Sequence, residues 1–327
     1  MSLAVRVRRD RPGADPSLPR AAATVIRDCL NVRAGEDVLV VCDSSTSELA
    51  HALRDAAEAA GGEAVLMLTG QRRAQDHGTE PPAPVAAALA ATEVFIAATT
   101  ASLSHTKARA AATRRGARGA TMPGATAEMV ARLMGGDIPL MMRRGRAVAQ
   151  LLSAAGQARL TCPRGTDLAL DLSGREGISD DGKLTERGSW GNLPAGEGFI
   201  SPTGGDGRIV ASALAGLGLA TAPLRLEVSG GRLVDGDERF LDLLDKHGAA
   251  GRNLAELGVG TNENARLTGN VLEDEKMLGS AHIAFGASAG IGGTVAVPVH
   301  LDCVVVGATL TLDDVTVLDR GSFLLEA

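Results

Sequence analysis

Five side chains in the second half of the chain have the types needed to hold metal ions. In Val297-Pro298-Val299-His300-Leu301-Asp302-Cys303-Val304, His300 and Asp302 stand two apart in an apolar run. Successive side chains on a strand point to opposite faces, so this imidazole and this carboxylate would project together. A buried charge costs several kcal/mol unless it is paired or binds a metal. Leu254-Ala255-Glu256-Leu257-Gly258-Val259 and Ala281-His282-Ile283-Ala284-Phe285 repeat the pattern of an apolar segment carrying one metal-grade side chain. Glu197, between Gly196 and Gly198, has backbone room to reach a cavity. Three carboxylates and two imidazoles form a nitrogen and oxygen set suited to Zn, Mn, Co or Fe, and such a set can hold two ions about 3.5–4 Å apart. Each residue also has a plainer reading: a hydrogen-bonded core pair for His300 and Asp302, an edge-strand Glu for Glu256, a satisfied core His for His282, and a surface turn for Glu197.

The elements around these residues fall into two textures. Asp37 to Val41 is a continuous apolar run, as expected of a strand covered on both faces. Ser45 with Glu48 matches a capping box opening a helix through Ala60, and Gly61-Gly62 stops it. Further strands are expected at Ala64–Leu68, Val94–Ala97 and Gly119–Thr121. They alternate with helices at Arg20–Leu30, Pro81–Ala91, His105–Arg115 and Thr126–Met134. That alternation predicts a doubly wound parallel sheet. From Ala158 the strands shorten and Gly-rich turns separate them, with one helix over Gly236–Lys246. The expected fold is α/β plus α+β: a flexible arm over 1–18, a Rossmann-like domain over 19–155, and a mixed, largely antiparallel metal-site domain over 156–327.

Composition narrows the partners. A net charge of -6, 2% aromatics and no polybasic run argue against nucleic acid. No apolar stretch approaches a membrane span, and the Arg- and Asp-rich start lacks the apolar region of a secretory signal. Cys29, Cys42, Cys162 and Cys303 form no C-x-x-C pair and read as free thiols of a cytoplasmic protein. Glu273-Asp274-Glu275 and Arg143-Arg144-Gly145-Arg146 read as solvated charge, and Gly290-Ile291-Gly292-Gly293 as a turn without the Lys of a phosphate loop.

The strings NLPAGEGF, AELGVGTNENARLTGNVLEDEKMLGSAHIAFG and VHLD resemble the metallo-aminopeptidase family typified by aminopeptidase T. The resemblance covers most of the chain. It implies a homodimer with an enclosed cavity and a two-metal site on Glu197, Glu256, His282, His300 and Asp302. Two positions depart from the family: Gly196 stands where a second glutamate is usual, and Ala289 where a catalytic tyrosine is usual. A second branch of the same superfamily, the 2,5-dihydroxypyridine 5,6-dioxygenases, holds one Fe(II) through two His and one Asp. Its first His falls on Glu256 and the other two ligands on His300 and Asp302. In that branch His105, after Ser104, and Asn192 fall at substrate-adjacent positions.

The ligand count favours a hydrolase, with two divalent ions (Zn, Co or Mn) activating water to cleave an N-terminal peptide or small amide bond. The alternatives are a mononuclear Fe(II) ring-cleaving dioxygenase, or a metal-stabilised binding protein without turnover. The partner in either enzyme is a small peptide or small-molecule substrate.

Overall fold

The computed structural model describes residues 18–71 and 78–325. The predicted N-terminal arm lies outside the described residues, apart from Leu18, which opens the first helix.

A five-stranded parallel sheet forms the first layer system. Its order runs Glu63–Leu68, Asp37–Cys42, Val94–Ala98, Arg118–Thr121, Trp190–Asn192. The apolar run of the Asp37 strand is covered on both sides, as its composition demands. Val38, Val40 and Cys42 face one core with Leu49 and Leu53 of the helix Ser47–Ala59 and Val130 of the helix Ala127–Leu133. Leu39 and Val41 face the other, with Val85 and Leu89 of the helix Ala83–Ala91 and Ala112 of the helix Lys107–Arg114. Helices on both faces of a parallel sheet make the doubly wound arrangement read from the sequence.

Local differences have local causes. Asp43 caps the 3-10 turn Ser44–Thr46 that leads into Ser47–Ala59: its carboxylate accepts from the Ser45 amide and hydroxyl, and the Thr46 hydroxyl accepts from the Asp43 amide. Ser45, the predicted cap, therefore serves as a donor to a stronger acceptor. The helix expected from His105 begins at Lys107, because Thr106 takes the cap and accepts from Arg109 N. The first helix is α over Leu18–Thr24 and widens to a π turn over Val25–Cys29.

The second system is a curled, antiparallel sheet of thirteen strands. Its central path runs Gly204–Leu214, His300–Val305, Ala281–Gly286, Leu254–Gly260, Glu197–Ile200, Ile178–Asp180. Leu257, Val259, Ile283, Phe285, Cys303 and Val305 turn one face of these strands into an apolar core. The helix Ile138–Ala154 packs on Glu197–Ile200 and Ile178–Asp180.

The two sheets are linked by a very short crossing. Trp190–Asn192 closes the parallel sheet beside Arg118–Thr121, and five residues later Glu197 opens an antiparallel strand. Leu184, Leu193 and Ala195 around this crossing are buried in the core of the parallel-sheet half. No helix among the described residues is long and apolar enough to cross a membrane.

Candidate metal centre

The period of two that orients His300 and Asp302 extends across the whole central path. Glu256 pairs with Ala284, which pairs with Asp302; Gly258 pairs with His282; Gly286 pairs with His300; Gly260 pairs with Glu197. Directly opposed residues share a face, so all five donors leave the same side. The other side carries the apolar core. Small residues keep the donor face open. A Cβ on Gly258 would collide with the His282 imidazole, so glycine is what lets that ring lie flat across the neighbouring strand.

Two overlapping donor groups result, Glu197–Glu256–His282 and Glu256–His300–Asp302, each with its ligand atoms within 4.8 Å of one another. His282 Nε2 lies 3.1 Å from Glu256 Oε1 and 3.2 Å from Glu197 Oε2. His300 Nε2 lies 3.3 Å from Glu256 Oε2 and 3.7 Å from Asp302 Oδ1. His300 Nδ1 donates to the Ala287 carbonyl at 2.7 Å, which orients the ring and leaves Nε2 as the inward atom available to an ion. The groups differ in access. The His282 side chain is fully buried, whereas that of His300 is 22% exposed.

Electrostatics reflect carboxylates and imidazoles packed without bulk water. Burial would raise the Glu256 carboxyl, but hydrogen bonds with His282 and His300 outweigh it and hold Glu256 well below the usual carboxylate range. Burial dominates at Glu197 and pushes it up to about 8. At His282 burial opposes the charge, yet Glu256 and Glu197 prevail and raise it to about 9. Both Glu197 and His282 thus hold protons in the folded, ion-free protein that the unfolded chain would release. Stability falls with pH where the folded state binds more protons. The expected result is that chelated protein loses thermal stability as pH rises, first through the window of about 4.5 to 8 (Glu197) and then about 6.5 to 9 (His282). A saturating divalent ion should flatten that slope, because it replaces the protons. Melting temperature against pH, with and without ion, checks this; parallel curves would count against an ion held by Glu197 and His282.

The residues fit a cation. Glu197 Oε2 and His282 Nδ1 are buried with no hydrogen-bond partner, and Glu197 Oε2 points at the His282–Glu256 contact. A buried carboxylate oxygen that makes no hydrogen bond is costly even beside an imidazole, and a divalent ion among oxygen and imidazole donors removes that cost. Cys303 is no ligand: it lies on the apolar face, donates to the Ile283 carbonyl, and burial pushes its thiol up.

Sequence reasoning missed a third group. Glu273, Asp274 and Glu275, read as solvated charge, are buried in the structure. Each has a partner that explains it. Arg132 makes a bidentate pair with Glu273 at 2.6 and 2.9 Å, and Asp274 accepts from the amides of Thr268 and Gly269. Glu275 meets Lys276, whose ammonium also lies 2.5 Å from Glu197 Oε1 and 3.3 Å from Asp180 Oδ2. The available signal was the apolar Val271-Leu272 before the run, which places it against a core and not on a solvated face.

The remaining predicted positions sit elsewhere. Asn192 ends the last strand of the parallel sheet, and its Oδ1 accepts from Thr121 at 2.6 Å and Ser104 at 3.1 Å. His105 is exposed and meets Trp190 edge-on at 6.3 Å, while the Arg109 guanidinium stacks on the same ring at 3.6 Å. Asn192 and Thr121 lie at the carboxyl ends of their parallel strands, where such sheets bind ligands. None of their described contacts is to the five donors. Gly196 has φ +134°, and a Cβ there would approach Asn262 Cβ to 2.7 Å, so a glutamate at this position is excluded by the local backbone. Ala289 lies exposed in a short 3-10 turn and offers no hydrogen-bonding group. Arg143 and Arg146 are exposed, as read from the sequence.

Comparison with known proteins agrees with the superfamily and fold expected from the C-terminal strings. A family model described as 2,5-dihydroxypyridine 5,6-dioxygenase matches residues 17–325. The chain is similar in structure to the 2,5-dihydroxypyridine dioxygenase of Pseudomonas putida KT2440, with a TM-score of 0.79 and 18% identity over 96% of this chain and 99% of that one. It is also similar to wild-type AmpT from Thermus thermophilus, with a TM-score of 0.66 and 19% identity over 94% of this chain and 99% of that one. At these identities the likeness is one of fold. No curated protein matches the chain. The family model thus names the ring-opening branch, not the hydrolytic one to which the ligand count first pointed.

Proposed function

The chain belongs to the 2,5-dihydroxypyridine 5,6-dioxygenase family, and from that premise we propose that it is a metal-dependent oxygenase opening the ring of a hydroxylated nitrogen heteroaromatic. The observation that carries the proposal is the Glu256–His300–Asp302 group, a compact imidazole and carboxylate set at the accessible edge of an otherwise buried centre. A substrate and dioxygen must reach the ion they react at, and of the two groups only this one has a partly exposed member, His300. Glu256, His300 and Asp302 would hold a ferrous ion, which when bound supplies the redox chemistry for adding dioxygen across a ring bond. The set has one carboxylate more than the two-His, one-carboxylate facial triad. That extra negative charge favours the higher oxidation state. His300, fixed by the Ala287 carbonyl, keeps its Nε2 aimed inward. Burial of Glu256 and Asp302 would limit water around the ion and protect the reaction from side paths.

The test is oxygen uptake by protein reconstituted with ferrous iron in the presence of 2,5-dihydroxypyridine and related dihydroxylated rings. The expected result is loss of ring absorbance coupled to dioxygen consumption, absent in zinc-loaded protein. A second reading, a two-ion hydrolase, draws on the complete Glu197–Glu256–His282 group. Against it stand the backbone conformation of Gly196 and the exposed Ala289. Iron-loaded protein that consumes no oxygen, while zinc- or cobalt-loaded protein cleaves aminoacyl amides, would replace the first reading with the second.

A further inference from the structure

The buried Lys276 has no part in holding an ion, yet it touches the centre at one chosen point. Its side chain is 1% exposed, and its ammonium contacts Asp180, Glu275 and Glu197. Its backbone is pinned, with the amide donating to the Glu273 carbonyl at 2.9 Å and the carbonyl accepting from Asn262 N at 2.9 Å. Three carboxylates around the ammonium hold it beside Glu197. The two oxygens of Glu197 are divided: Oε1 takes the ammonium at 2.5 Å, and Oε2 faces His282 at 3.2 Å. Any ion held by Glu197, Glu256 and His282 would share one carboxylate with a fixed positive charge. Among the described residues, Lys276 makes no ion pair with Glu256, His300 or Asp302.

We propose that Lys276 sets the number of ions the centre retains: its ammonium on Glu197 weakens the Glu197–Glu256–His282 group and leaves Glu256–His300–Asp302 as the tight site. The proposal rests on the one-ion reading above. Like charges in a partly dehydrated interior repel far more than in water, enough to change a binding constant by a factor on the order of ten or more. Evolution of a one-ion centre from a five-donor frame then needs no loss of ligands, only a cation placed behind one of them. Lys276 is a positioning residue in this account, since it acts on the ion through Glu197.

The experiment compares wild-type protein with Lys276→Met, a neutral side chain of similar length. Each is saturated with Mn²⁺ and desalted for metal analysis, and stepwise affinities are read by chelator competition. The wild type should retain one ion per chain, with a second bound weakly. In Lys276→Met the second ion should tighten about tenfold or more, with the first little changed. A merely structural role predicts the opposite, because a loosened centre weakens both steps. If the single variant does not fold, Lys276→Met/Glu275→Gln removes one buried carboxylate together with the ammonium and gives the same readout. One ion in the wild type with no gain in either variant overturns the role of Lys276 alone. Two tight ions in the wild type overturn the one-ion reading and this inference together.

Discussion

Glu256→Gln is expected to empty both donor groups at once. Its Oε1 faces His282 and its Oε2 faces His300, so it is the one residue common to the two sets. The amide keeps the volume but supplies neither charge nor a second lone-pair oxygen. Losing even an outer partner of a metal ligand typically costs about 10–100-fold in affinity or activity. Loss of the shared ligand should exceed that, so retained metal falls to background after desalting and turnover falls by more than about 100-fold. His282→Ala should behave differently, sparing the ion on Glu256, His300 and Asp302. Metal analysis and steady-state rates on the two variants check the pair. Retention of metal by Glu256→Gln at the wild-type level would break the shared-ligand geometry.

A large stability effect is expected away from the ion, at Arg132→Ala. Arg132 projects from the helix Ala127–Leu133 and grips Glu273, which is 1% exposed, while also donating to the Asn264 carbonyl. Truncation leaves a buried carboxylate with no cation, a change that typically costs about 3–5 kcal/mol. The midpoint of urea unfolding should move accordingly. Replacing both partners with apolar residues, as in Arg132→Met/Glu273→Leu, should recover most of the loss, because the cost lies in the orphaned charge and not in the missing attraction. Equal losses in single and double variants would show that packing, not charge, sets the penalty.

How much of this was legible in the chain depends on how local each signal is. The Asp37 strand and the stop at Gly61 follow from short-range rules, and the structure agrees with them to within a residue or two. The shared face of His300 and Asp302 follows from the strand period alone. Bringing Glu197 and Glu256 to the same face does not, because it depends on pairings across separate strands that only the folded sheet fixes. The charge run at Glu273 misled for a related reason. Runs of acidic residues are solvated unless long-range cations meet them, and Arg132 lies more than a hundred residues earlier in the chain. Gly196 read as a lost catalytic group; its backbone angle makes it instead a requirement of the turn that delivers Glu197.

The crossing between the sheets limits how this protein can be taken apart. Because Trp190–Asn192 completes one sheet and Glu197 begins a strand of the other, a cut near residue 155 would not yield two self-sufficient modules. The C-terminal fragment would carry an orphan strand together with Leu184, Leu193 and Ala195 stripped of their cover. Chimeras that exchange halves between relatives must therefore move this strand with the parallel sheet it completes, or inherit a seam through the middle of a core.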